Sequence, residues 1–216
     1  MPSLNDTERP QGAVAVAKQY LRRERPVSAL VVLLVVSLFL GTFLATSLLP
    51  ALVVGGLLVV TARAPVVQSH GTVHLRTDDT PESVVEAFTS PTPPVLAFQW
   101  GIADEITTGD DSVTYRMSYL FGLRSDSMTV HRQIETTPNS NQRVKLDISA
   151  NDQPWATYTA TIRHTNDASI VDVEYTSNRR FGLRRVPQQI VADRYRNEAL
   201  EVQGYTVVER DAEFGI

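Results

Sequence analysis

The chain has no cysteine, which excludes disulfides, thiolate catalysis, cysteine-ligated zinc and iron–sulfur clusters. It is nearly as poor in lysine: 18 of the basic residues are arginine and 2 are lysine. A lysine-poor, acid-rich composition fits a high-salt cytoplasm, and GC-rich codon usage would give the same bias. No glycine-rich phosphate loop, serine nucleophile elbow or kinase signature set occurs. An excess of positive charge is missing too. The 216 residues carry a formal charge of −4, split unevenly. Residues 1–63 hold 6 basic and 3 acidic side chains, and residues 64–216 hold 14 basic and 21 acidic. Phosphate neutralisation needs a basic surface, so the acidic part excludes nucleic acid as a partner.

Charge is absent altogether from Pro26 to Ala62, 37 residues without Asp, Glu, Lys, Arg or His. A spanning helix needs roughly 20 apolar residues, and one straight helix of this length would reach roughly 55 Å. Gly41, Thr42, Thr46, Ser47 and Pro50 mark the middle. The expectation is a transmembrane helical hairpin over residues 26–63, from Val27 to about Phe43 and back from about Leu48 to Thr61. Each leg is short and would require a thin bilayer or snorkelling by Arg25 and Arg63. Lys18, Arg22, Arg23 and Arg25 precede the run and Arg63 follows it. Positive flanks stay in the cytoplasm, so a hairpin places the remaining domain at the cytoplasmic face of the cell membrane. A single tilted span would place it outside. Arg22-Arg23 also has the form of a twin-arginine signal, but Arg25-Pro26 stands where that signal requires apolar residues. Residues 1–25 read as a polar, basic tail. Val14–Arg25 is either a surface helix or an ordinary basic flank.

Beyond a linker at residues 64–70 the pattern alternates. Thr72-Val73-His74-Leu75-Arg76 reads as a strand. Asp79-Thr80-Pro81-Glu82 is a helix start, with a capping side chain, proline in the first turn and an acid near the positive dipole end. The helix Pro81–Phe88 stops at Ser90-Pro91-Thr92-Pro93-Pro94. Six strand-like runs follow, beginning with Leu96, Phe98, Trp100 and Ile102 and then Val113, Tyr115, Met117, Tyr119 and Phe121. The others are Met128 to Ile134, Val144 to Ile148, Ala156 to Ile162 and Val171 to Tyr175. Period-two alternation marks an antiparallel sheet with one wet face. A helix from about Leu183 to Gln203 closes the series, with Gly204 at its end and an apolar stripe of Val191, Tyr195, Ala199 and Val202. Tyr205–Val208 reads as an extended tail.

The fold class is therefore α+β: a curved antiparallel sheet of about seven strands gripping a long C-terminal helix, preceded by two transmembrane helices. Strand Thr72–Arg76, the helix start Asp79–Val85 and the closing Val191–Leu200 resemble the START-like helix-grip superfamily, which includes polyketide cyclase/dehydrase and lipid-transport proteins. The resemblance covers residues 71–203 of a domain spanning 71–216. That family has a second short helix before its second strand, for which Pro91–Pro94 leaves little room. What the resemblance implies is a cavity between sheet and helix that binds an apolar small molecule or lipid. The expected function is a membrane-anchored START-like domain that binds or transports such a ligand near the cytoplasmic membrane face. The alternatives are a cyclase/dehydrase-type enzyme on the same fold or a non-catalytic membrane protein acting through a partner.

Arg132 alternates with Met128, Val130 and Ile134. A charge on an inward face is costly unless paired, so Arg132 either meets a ligand anion or sits where its guanidinium reaches water. Trp100, Tyr115, Tyr119, Tyr158 and Tyr175 fall on inward faces, and Tyr195 lies on the closing helix. They are candidate ligand-binding residues that could equally fill a core. His70 and His74 are four apart, which in a strand is about 13 Å, and no third ligand stands nearby. No metal or cofactor is expected. His131, His164, Asp147 and Glu174 read as outward, leaving no acid–base pair to share a cleft.

Overall fold

Alternation of apolar and polar residues builds the larger layer, a nine-stranded antiparallel sheet. The computed structural model describes residues 9–119, 124–136, 142–165, 168–183 and 186–215. The strands are β1 (Pro65–Thr77), β2 (Glu105–Thr108), β3 (Ser112–Tyr119), β4 (Arg124–Thr136) and β5 (Gln142–Ala150). After them come β6 (Gln153–Thr165), β7 (Ala168–Ser177), the two-residue β8 (Phe181–Gly182) and β9 (Thr206–Gly215). Their order is β2-β3-β4-β5-β6-β7-β1, with β8 on the start of β1 and β9 along its other edge. In β5 the alternating Val144, Leu146 and Ile148 are all buried. Asn151 and Asp152 take left-handed φ values of 50° and 60° in the tight turn into β6, the conformation a two-residue hairpin demands and these side chains tolerate.

Helix α3 (Pro81–Thr89) begins as its sequence dictates. The Thr80 hydroxyl accepts from the Ser83 amide at 3.3 Å, Pro81 fills the first turn, and Val84 and Phe88 are fully buried. Helix α5 (Val186–Glu201) ends at Gly204, whose φ is +89°. The Tyr205 amide then donates to the Leu200 carbonyl at 3.1 Å, the long bond of a glycine-capped helix end. The expected tail is strand β9, which occupies the edge of β1 opposite β7 and so removes an exposed strand edge. Gly71 permits this close pairing: a Cβ there would fall 2.1 Å from the Asp211 carbonyl oxygen and 2.9 Å from the Tyr175 hydroxyl.

The run Leu96–Ile102 is not a strand. Pro94–Leu96 forms a 3₁₀ turn that continues into helix α4 (Ala97–Ile102). The buried positions are Leu96, Ala97, Trp100 and Gly101, which is helical i, i+1, i+4, i+5 spacing, whereas the apolar side chains alone also satisfy alternation. This is the short helix before the second strand for which the prolines left little room. It fits because proline belongs in the first turn of such a helix.

The N-terminal segment departs most from expectation. Helix α1 runs unbroken from Gln11 to Ala45 and, after a turn at Thr46-Ser47, helix α2 runs from Leu48 to Arg63. The hairpin bend therefore lies where the polar residues marked it. Among the described residues, however, no helix is long and apolar enough to cross a membrane, which corrects the expected transmembrane pair. The reason is length. The 16 residues of the return leg α2 rise about 24 Å, against about 30 Å of hydrocarbon. The first turns of α1 belong to the domain instead. Ala13, Val16 and Ala17 are buried, and α1 packs so closely on α4 that a Cβ on Gly101 would lie 2.9 Å from the Ala17 methyl.

Candidate functional site

Helix α5 presents two faces to two partners, and the site follows from which side chains go where. Of its expected stripe, Tyr195 and Val202 turn to α1. Tyr195 meets Tyr20 of α1 with ring centroids 5.9 Å apart, and Val202 lies against Gly12 while staying half exposed. The face turned to the sheet carries Ala192, Arg196, Ala199 and Leu200, at i, i+4, i+7 and i+8. Arg196, Ala199 and Leu200 of this face line a cleft bounded by β1, β6, β7, β9 and α4. The cavity within this cleft is ≈ 40 Å³. Val73, Val173, Val95 and Leu200 make apolar walls.

Two arginines and two tyrosines interrupt those walls. Arg196 donates one terminal nitrogen to Asp193 Oδ1 at 2.7 Å and the other to Gln189 Oε1 at 3.2 Å. Arg210, on β9, donates Nε to Asn197 Oδ1 at 2.6 Å. The rings of Tyr158 and Tyr175 stack at 5.9 Å with an interplanar angle of 24°. Burial pushes the Tyr158 hydroxyl above its ordinary value, partly countered by Arg196. Burial likewise works against the Arg196 charge, but Tyr158 and Asp193 more than offset it and hold the guanidinium above its usual range. For Arg210 burial wins, and its value falls despite Asp193. Polar groups set among apolar walls are what a pocket uses to orient a ligand.

Of the residues singled out from sequence, Tyr158 and Tyr175 line this cleft. Trp100 is fully buried in α4 and donates Nε1 to the Pro93 carbonyl at 2.8 Å. Tyr115 is fully buried and donates its hydroxyl to the Pro91 carbonyl at 3.0 Å. Both fill the core and tie down the proline segment. Tyr195 packs on α1, and the Tyr119 side chain lies outside the described residues. His70 pairs with Glu213 at 3.1 Å and His74 with Asp172 at 2.6 Å, each in its own contact.

Arg132 is placed away from the cleft. Its guanidinium donates to the carbonyls of Thr89, Gly109 and Asp110, joining the C-terminal end of α3 to the β2–β3 turn. A cation at that helix end is favourable, which supplies the pairing its half-apolar position demands. Arg132→Met should therefore lower stability by about 1.5–3 kcal/mol in urea denaturation. A loss below about 0.5 kcal/mol would refute this structural role.

Arg196 and Arg210 were not singled out from sequence. Arg196 counts as one of the polar residues of α5 when the helix face is chosen by its strongest apolar stripe. Arg210 lies on a strand for which Tyr205–Val208 alone gave a signal. Only the rotation of α5 and the pairing of β9 with β1 bring the two arginines to one place.

No family model matches the chain, and no curated protein matches it. Among solved structures, similar ones include a protein from Rhizobium loti, at 17% identity, covering 62% of this chain and 96% of that one, with a TM-score of 0.42. A START superfamily protein from Mycobacterium smegmatis has 11% identity over 62% of this chain and 97% of its own, with a TM-score of 0.42. The Zhui aromatase/cyclase from a Streptomyces species has 10% identity over 62% and 89%, with a TM-score of 0.39.

Proposed function

We propose that the chain is a START-like domain that binds an apolar ligand or lipid in the cleft beneath α5, and that its N-terminal hairpin enters lipid beside it. The observation that carries the ligand reading is the cleft itself. Between α5 and the sheet lie apolar walls with a few directional polar groups among them. The element order of strand, two helices, six strands and long helix agrees with what the START-like resemblance implies.

The hairpin supports the second half of the proposal. Leu30, Leu33, Leu44, Leu49, Val53 and Leu57 are each more than half exposed. An apolar surface of that extent marks an interaction site for lipid or protein. Lipid is favoured because the apolar side chains surround both helices. Each leg enters the hydrocarbon without crossing it alone. The arginines at both ends of the hairpin favour the cytoplasmic side. Holding the cleft beside a bilayer raises the effective concentration of any lipid-derived ligand.

Native mass spectrometry of the full chain from its host, followed by solvent extraction, tests the ligand reading. A stoichiometric apolar passenger is the expected result. A mass equal to the bare polypeptide in repeated preparations, with no uptake of added long-chain alcohol, would refute it. Flotation with phospholipid vesicles tests the hairpin: the chain should rise with the lipid, and Leu33→Gln combined with Leu49→Gln should leave more of it behind.

A further inference from the structure

We infer that the cleft selects an amphiphile ending in a carboxylate or phosphate, whose anionic group bridges Arg196 and Arg210 while its apolar part lies along Val173 and Leu200. This rests on the proposed ligand-binding function and names its ligand class.

Charge accounting is the first argument. The cleft holds two guanidinium groups, and among the described residues Asp193 is the one carboxylate that pairs with either, through Arg196. One positive charge is left over. Arg210 makes no ion pair among the described residues and spends only Nε, on the neutral Asn197 amide. Its two terminal nitrogens, which carry four of the five guanidinium N–H donors, have no protein acceptor among those residues. A partly buried charge in this state is costly in the empty protein, and the depressed pKa of Arg210 expresses that cost. A bound anion removes it.

Donor geometry is the second argument. A guanidinium fork matches the spacing of carboxylate and phosphate oxygens and binds them through paired, charge-assisted hydrogen bonds. The hydroxyls of Tyr158 and Tyr175 also line the cleft and make no hydrogen bond among the described residues, so they can donate to further oxygens of the same group. A free inorganic ion would use this polar end but leave Val73, Val95, Val173 and Leu200 facing water. An uncharged lipid would do the reverse. An anionic amphiphile answers both ends.

The test compares laurate, dodecyl phosphate, dodecanol and inorganic phosphate as probes of the full chain by isothermal titration. Laurate or dodecyl phosphate should bind at least roughly tenfold tighter than dodecanol, as expected for charge-assisted pairing. Arg210→Gln should weaken laurate far more than dodecanol, and its ligand-free midpoint of unfolding should be equal or higher. Uptake by the hairpin does not depend on Arg210, so the variant separates the two binding places. Asp193→Asn removes the competing carboxylate and should tighten laurate severalfold, which provides a reading should Arg210→Gln not fold. Equal binding of laurate and dodecanol would overturn the anion inference while leaving the apolar cleft standing. Inorganic phosphate binding as tightly as dodecyl phosphate would make it a free-anion site and overturn the amphiphile. Failure of all four probes to bind would overturn both the inference and the function on which it rests.

Discussion

Trp100→Ala is expected to destabilise the domain by about 3–5 kcal/mol, a loss measurable as a shifted midpoint in urea unfolding. The indole is fully buried, and it both fills volume and donates to the Pro93 carbonyl. Truncation leaves a cavity and an unpaired acceptor together. Trp100→Phe keeps most of the volume and loses the hydrogen bond, so its cost should be nearer 1–3 kcal/mol. The neighbourhood adds to the effect. Arg9 donates to the carbonyls of Trp100 and Ala103 at 3.3 Å and 2.8 Å, and Ala17 of α1 rests on Gly101. Loss of the indole should thus also release the first turns of α1, visible as faster amide exchange over residues 11–20. A cost below about 1 kcal/mol for the alanine variant would show that α4 is not part of the core as described.

The sheet was legible in the sequence wherever one face is dry and the other wet. Val144, Leu146 and Ile148 announce their strand because nothing else explains that alternation. The same rule misread Leu96–Ile102. Within seven residues, two helical turns and a strand can place apolar side chains at the same positions, and the small buried residues Ala97 and Gly101 carry no hydropathy signal strong enough to choose. Strands β2 and β8 are too short to alternate, and the expected tail Tyr205–Val208 covers only the start of β9, because four of its ten residues are charged and its pairing with β1 is a backbone matter. The site was less legible still. Tyr158 and Tyr175 were found because strand alternation fixes which way they point. Helix α5 has two partners, and its strongest stripe faces α1, a segment that reads from sequence as a flank to a membrane hairpin. No periodicity in α5 alone could show that its arginine-bearing face is the one turned to the sheet.

Alkaline pH should destabilise the domain through two tyrosines that the structure keeps neutral. Burial raises the Tyr115 hydroxyl well above its ordinary value, with Arg132 opposing weakly, and raises that of Tyr205 to about 12, with Asp79 adding to the effect. Both residues are at most 3% exposed. In the unfolded chain each titrates near 10. Where the folded value lies above the unfolded one, the unfolded state releases its proton first, so stability is complete below about pH 10 and falls as pH rises beyond it. At pH 11 each group should remove about 1.4 kcal/mol, or roughly 3 kcal/mol together. The local contacts agree with the sign. The Tyr115 hydroxyl is a donor to the Pro91 carbonyl, a bond that a phenolate cannot make, and Tyr205 packs edge-on against Phe88 at 6.1 Å and 86°, where a phenolate would lie against the core. Urea midpoints between pH 8 and pH 11 measure the slope. In the Tyr115→Phe, Tyr205→Phe double variant the start should be lower by the lost Tyr115 hydrogen bond, about 1 kcal/mol, and the decline above pH 10 should shrink by most of the 3 kcal/mol. If the double variant declines as steeply as the parent, the alkaline sensitivity lies elsewhere, and Tyr158 in the cleft becomes the group to replace next.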